Sequence, residues 1–143
     1  MLSSQQVQDL LPQAYPFVMI DRVVELQEGK SLTAIKNLTA GDWPFCDEQY
    51  PVKYFPETLL IEAAAQAALL LYRASMGNEG EGRKFFLGKV KAEFLRPVNC
   101  GEQLRIVARA TKVLSSGGYS DVEMSVGEDP VGNVGFVLGA KKE

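Results

Sequence analysis

The sequence predicts an α+β protein in which an antiparallel sheet packs against one long helix. Three observations carry this prediction: a single long helix-forming run at residues 57–75, a series of strand-like runs after it, and turn signals between those runs. With 143 residues the chain has the size of one domain and can bury a sizeable core. We therefore expect a single domain over residues 1–143.

A short helix, two strands and a long loop are predicted before the main helix. Residues 4–11 have an amphipathic pattern, and the runs at 15–26 and 30–39 are rich in β-branched and aromatic residues. The segment 40–54 has no periodicity and contains one glycine and two prolines, which indicates a loop. A loop of this length favours a role in binding.

The main helix and the strands after it have clear boundaries in the sequence. Residues 57–75 are rich in Ala and Leu, Pro56 suits the first turn of a helix, and Gly77 and Asn78 suit its end. In the run 103–114, apolar and polar residues alternate as in a half-buried strand, and "SSGG" predicts a hairpin turn after it. Four strand-like runs are predicted after the helix: 85–95, 103–114, 119–127 and 131–140.

Composition excludes several classes of function. The net charge of −3 gives no electrostatic reason to expect a nucleic acid or an anionic membrane as partner. The most apolar window, 59–71, is too short to span a bilayer and contains Glu62 and Gln66, so we interpret it as part of a core helix. The N-terminus lacks the pattern of a signal peptide, and we expect a cytoplasmic protein.

The chain contains no histidine. It therefore cannot supply a Ser-His-Asp triad, a Cys-His nucleophile or a His-ligated zinc site, and we expect no metal. Any acid-base chemistry must use other titratable side chains or a histidine from another chain.

Glu62 is the carboxylate inside the apolar helix. On a helix Thr58, Glu62, Gln66 and Arg73 share one narrow face, which is consistent with the solvated side of an amphipathic helix. Five alanines surround that face, and such small residues favour close packing on both sides of it. The pattern alone leaves open whether Glu62 is solvated or part of an active site.

Four segments of the sequence resemble the FabZ-type 3-hydroxyacyl-acyl carrier protein dehydratases. They are "LPQAYPFVMIDRV" (11–23), "GKSLTAIKNLT" (29–39), "YPVKYFPETLLIEAAAQAA" (50–68) and "KVKAEFLRPVNCGEQL" (89–104). The resemblance implies a hotdog fold, with a sheet wrapped around the long helix and a dimer with a continuous sheet. It also implies an acyl chain carried on the phosphopantetheine of an acyl carrier protein or CoA, with no other cofactor.

The resemblance also implies the residues of the site. In that family a loop histidine and a helix glutamate from different subunits form the catalytic pair, and these positions fall on Gln49 and Glu62. We expect substrate contacts from the residues around them: Tyr15, Phe17, Tyr50, Phe55, Pro56, Glu57 and Gln66. From the residues alone, Tyr15 and Phe17 are equally well interpreted as core or tunnel-lining side chains.

This sequence departs from the family pattern at the positions that the family uses for catalysis. Glutamine stands at both usual histidine positions, Gln13 and Gln49, and Glu57 replaces the glycine whose amide polarises the thioester carbonyl. A glutamine can hydrogen-bond but cannot transfer a proton as histidine does.

Three hypotheses follow from these departures. The chain is a dehydratase subunit, impaired alone, whose site is completed by a histidine-bearing homologue in a heterodimer. Alternatively it is a hotdog thioesterase that uses Glu62 and Gln49. For the assembly we expect a homodimer, a heterodimer with a homologous dehydratase, or a higher oligomer. The third hypothesis is a non-catalytic subunit that binds acyl groups or stabilises a partner.

Overall fold

A computed structural model describes residues 1–46, 52–77 and 82–142 of the chain. Its main feature is a six-stranded antiparallel sheet in the order β1-β2-β4-β5-β6-β3. The strands are β1 (Arg22–Gln27), β2 (Ser31–Asn37), β3 (Arg83–Phe94), β4 (Gln103–Leu114), β5 (Gly117–Val126) and β6 (Asp129–Lys142). The predicted α+β class with one antiparallel sheet is confirmed.

Three helices accompany the sheet: α1 (Ser4–Leu10), α2 (Trp43–Cys46) and α3 (Glu57–Met76). Pro56 is the N-cap of α3, one position before the first turn that we predicted, and its carbonyl accepts the amides of Leu59 and Leu60. Gly77 ends the helix with a φ of +52°, a conformation that glycine adopts without steric cost.

Helix α3 forms the centre of the core. It packs mainly against β4, with further contacts to β5, β2 and β6. On β4 the alternating residues Leu104, Ile106 and Ala108 are fully buried beneath it, as the period-two pattern predicts. The helix is 20 residues long and is apolar enough to cross a bilayer, so our length argument against a span was wrong. Its burial against the sheet is what identifies it as a core helix.

Two sequence-based boundaries were wrong. Residues 15–21 are not a strand, because β1 begins only at Arg22. The carbonyl of Phe17 and the amide of Met19 bond to the side chain of Gln66 on α3, and the amide of Asp21 bonds to the neighbouring strand β2, at Ile35. The predicted loop 40–54 contains the short helix α2, and its residues 47–51 lie outside the described part of the chain.

Strand β3 is an edge of the sheet. It pairs with β6 on one side, and in the described chain no strand pairs with its other side. Phe86, Leu87 and Val90 on this strand are all at least 40% exposed. A long edge strand with exposed apolar side chains is a surface suited to pairing with another chain.

Candidate active site

The Glu62 carboxylate is held by two amide side chains. Glu62 lies half-buried in the second turn of α3, and its Oε1 accepts a hydrogen bond from Gln66 Nε2 at 2.9 Å. The same oxygen accepts a second bond from Gln13 Nε2 at 3.3 Å. The described residues place no donor on Oε2. Within the described residues, the carboxylate is therefore held through one oxygen, and no hydrogen bond is made to its other oxygen.

Gln66 connects Glu62 to the segment that precedes β1. Its side chain is fully buried, with 0% exposure. Gln66 Nε2 donates to the carbonyl of Phe17, and Gln66 Oε1 accepts the backbone amide of Met19 at 2.8 Å. All of its polar atoms are thus occupied within the protein. Gln66 is placed to hold this segment and Glu62, and its predicted contact with a substrate stays a prediction.

A cleft of about 130 Å³ opens beside the carboxylate. Glu62, Ala65 and Leu69 form its wall on α3, which fits their shared helix face. The opposite wall comes from the edge strand β3 and from β6, and the segment before β1 covers one end. These remaining residues are Pro12, Gln13, Phe85, Phe86, Leu87 and Leu138. The cleft thus combines an apolar lining with one carboxylate and one amide, a usual composition for a small-molecule site.

The start of α3 is fastened to the segment after β3. Phe55 is buried, and its backbone amide donates to the carbonyl of Val98 at 2.9 Å. Glu57 is the first residue of α3 and is exposed, so its carboxylate is hydrated at the positive end of the helix dipole. Glu57 begins the first turn of α3 and lies about one and a half turns before Glu62 along the helix.

The other predicted site residues are more scattered. Gln49 and Tyr50 lie outside the described residues. Tyr15 is 90% exposed, so its interpretation as a core residue was wrong. Phe17 is half-exposed and contacts Trp43, with ring centroids 6.0 Å apart. Neither Tyr15 nor Phe17 lines the cleft.

The sequence interpretation missed two features of the site. Gln13 was noted only as a departure from a family pattern, yet its amide contacts Glu62 directly. Phe85 was noted only as part of a strand, yet its ring forms a wall of the cleft. Both come together with Glu62 through contacts that are distant in sequence and leave no local pattern. Within residues 1–46, 52–77 and 82–142, no group of three acidic or cysteine side chains is placed to hold a metal ion.

Known proteins with similar sequences include several dehydratases. The FabA-like domain family matches residues 11–129. A 3-hydroxyacyl-[acyl-carrier-protein] dehydratase FabZ from Bacillus cereus is 35% identical, and the alignment covers 100% of both chains. A FabZ from Vibrio vulnificus is 41% identical over 73% of this chain and 71% of its own length.

Solved structures with the same fold are more distant in sequence. A chain of the dehydratase heterocomplex ApeI:P from Xenorhabdus doucetiae superimposes with a TM-score of 0.80 at 15% identity, covering 96% of this chain and 91% of its own. A hypothetical thioesterase with coenzyme A from Streptococcus pneumoniae gives a TM-score of 0.65 at 10% identity, covering 85% of each chain. These similarities confirm the hotdog fold.

Proposed function

The chain belongs to the FabA-like domain family, and we propose that it is the glutamate-bearing subunit of a dehydratase that acts on 3-hydroxyacyl thioesters. The acyl group is carried on the phosphopantetheine of an acyl carrier protein or CoA, and no other cofactor is needed. The catalytic site is completed by a histidine from a homologous partner subunit.

The observation that carries this proposal is the setting of Glu62. Two amides hold its Oε1, and the carboxylate lies in the wall of an apolar cleft. A group that transfers protons must be fixed in orientation relative to the substrate, and bonds to one oxygen achieve this without occupying the other. A merely solvated carboxylate on a helix surface would not have two buried or half-buried amides devoted to it.

Dehydration needs a second group besides Glu62. The C2–H bond and the C3–O bond break, a C2=C3 double bond forms, and the hydroxyl leaves as water. One group takes the C2 proton while another supplies a proton to the hydroxyl. This chain has no histidine for either role. We therefore expect weak activity from the chain alone, because general acid-base catalysis is worth about 10²–10⁴-fold.

A partner subunit is suited to supply the missing group. Strand β3 leaves an edge of the sheet open, and two residues of this strand, Phe86 and Leu87, also line the cleft. A homologue paired along β3 would extend the sheet and lie against the open side of the cleft. The family pattern, in which glutamate and histidine come from different subunits, supports this arrangement.

A complementation experiment tests the proposal. The chain is co-expressed with a homologue that has the loop histidine but whose own helix glutamate is replaced by glutamine. The mixed dimer then has only one complete pair, the partner's histidine with Glu62. We expect it to dehydrate a 3-hydroxyacyl thioester, measured by absorbance of the conjugated product, and we expect Glu62→Gln in this chain to lower the rate by at least about 10²-fold.

A matched control and two contrary outcomes complete the test. Glu25→Gln changes an exposed glutamate on β1 and should leave the rate unchanged. Activity that survives Glu62→Gln would exclude a catalytic role for this carboxylate. Release of thiol from acyl-CoA by the isolated chain would favour the thioesterase hypothesis instead, and absence of both activities would favour a non-catalytic subunit.

A further inference from the structure

An aromatic ring forms part of the cleft wall. Phe85 on β3 lines the cleft, and Tyr72 on α3 meets this ring edge-on, with centroids 5.5 Å apart and planes at 79°. The guanidinium carbon of Arg73 lies 4.7 Å from the centroid of the same ring. Two side chains of the last part of α3 therefore hold Phe85 in place.

Arg73 is itself anchored behind the ring. Its Nη1 donates to the carbonyl of Leu10, the last residue of α1, at 2.6 Å. Partial burial lowers the pKa of Arg73 from its ordinary value, since desolvation penalises the charged form. Its Nε is buried and has no hydrogen-bond partner in the described chain. An arginine kept in such surroundings interacts more strongly with the face of an aromatic ring than a solvated one.

The cleft in front of this ring is short. From Glu62 to Leu69, the two ends of its wall on α3, the helix rises about 10 Å. Its volume of about 130 Å³ is close to that of a roughly 150 Å³ apolar cavity that accommodates benzene. An acyl group of about six carbons fills a space of this size.

From this geometry we infer that Phe85 and Arg73 set the acyl-chain length that the site accepts, with an upper limit near six to eight carbons. This inference rests on the proposed function and names the substrate class of the same site. Phe85 is the wall that the end of the chain meets. Arg73 is a positioning residue, because it holds the ring without lining the cleft.

Binding of a chain-length series tests the inference. The probes are 3-hydroxyacyl-pantetheine thioesters with acyl chains of 4, 6, 8, 10 and 12 carbons, titrated into the full-length protein by calorimetry. Each buried methylene should tighten binding about fourfold. For the unmodified protein we expect this gain up to six to eight carbons and none beyond.

Two substitutions should extend the accepted length. Phe85→Ala opens the end of the cleft, so affinity should keep rising to ten or twelve carbons and exceed that of the unmodified protein at least tenfold for the ten-carbon probe. Arg73→Met frees the ring and should give a smaller shift in the same direction. Arg73→Lys retains the cation and should restore most of the limit. Phe85→Leu keeps the strand apolar and reports the same shift if the alanine variant does not fold.

The outcomes separate this inference from the proposed function. Arg105→Met, at an exposed arginine of β4, is the control and should leave the length dependence unchanged. Binding that keeps strengthening to twelve carbons in the unmodified protein, or an unchanged limit in the folded Phe85 variants, overturns the inference and leaves the proposed function standing. Failure of every chain length to bind, both to this chain alone and to its complex with the histidine-bearing homologue, overturns both.

Discussion

Glu62 owes its orientation to two amides that reach it from different parts of the chain. Gln66 lies one turn further along α3, whereas Gln13 lies 49 residues away in sequence. Both donate to Oε1, so the carboxylate cannot rotate freely about its last bond. This is the arrangement that a catalytic carboxylate needs, because a misplaced proton-transfer group loses much of its effect.

The helix period was enough to place Glu62 and Gln66 on one face of α3, but it could not say what covers that face. Gln66 is buried because the segment before β1 folds over it and presents the carbonyl of Phe17 and the amide of Met19. Such contacts between residues more than 40 positions apart produce no local pattern. The tertiary structure was therefore needed to decide whether this face of α3 is solvated or buried.

Replacement of Gln66 by leucine should destabilise the protein markedly. Gln66→Leu removes a donor and an acceptor of the buried side chain and leaves the amide of Met19 and the carbonyl of Phe17 without partners. One buried amide and one part-buried carbonyl without partners cost about 1–4 kcal/mol in free energy of unfolding. Urea denaturation measures this change. The control is Gln8→Leu, at an exposed position of α1, which should change the free energy of unfolding by less than about 0.5 kcal/mol. Equal stability of the two variants would show that the hydrogen bonds of Gln66 contribute nothing.

Among the elements, strand β4 and the turn after it were the most predictable from the sequence. The alternation in β4 corresponds to a real strand, and the predicted turn is present at Ser115 and Ser116, while the two glycines after them begin β5. Both were predictable because burial on one face and a tight reversal are local properties. Residues 15–21 have strand-like composition, yet the carbonyl of Phe17 and the amide of Met19 bond to Gln66 of α3, so composition alone was misleading. Contacts within one chain do not explain why the apolar side chains of β3 are exposed.

Assembly through β3 should be sensitive to a charge on that edge. Val90 is 40% exposed on the strand, and a buried lysine in its place would face a large desolvation penalty in a paired sheet. Sedimentation velocity should show the unmodified protein as a dimer or larger and Val90→Lys as a monomer at micromolar concentration. Leu114→Lys, at an exposed leucine at the end of β4, is the matched control and should remain assembled. A Val90→Lys protein of unchanged size would place the interface elsewhere.

The molecule as a whole has the fold of the FabA-like domain family, and its sequence contains no histidine. The fold class followed from the sequence because one helix and a series of strands allow few arrangements. The active site did not follow from one chain, since the family pattern divides it between two. Of the site residues predicted from resemblance, Glu62 lies in the cleft, Gln66 supports it, and Gln49 falls outside the described residues.

The most direct measurement restores the missing imidazole in this chain itself. Dehydration of a 3-hydroxyacyl thioester is compared for the unmodified protein, Gln49→His and Gln49→His combined with Glu62→Gln, with Gln103→His as a control histidine at an exposed position of β4. We expect Gln49→His to raise the rate by about 10²–10⁴-fold, the added Glu62→Gln to remove that gain, and Gln103→His to have no effect. A Gln49→His protein no faster than the unmodified one, or a gain that persists without the Glu62 carboxylate, would contradict the claim that Glu62 is one half of an acid-base pair.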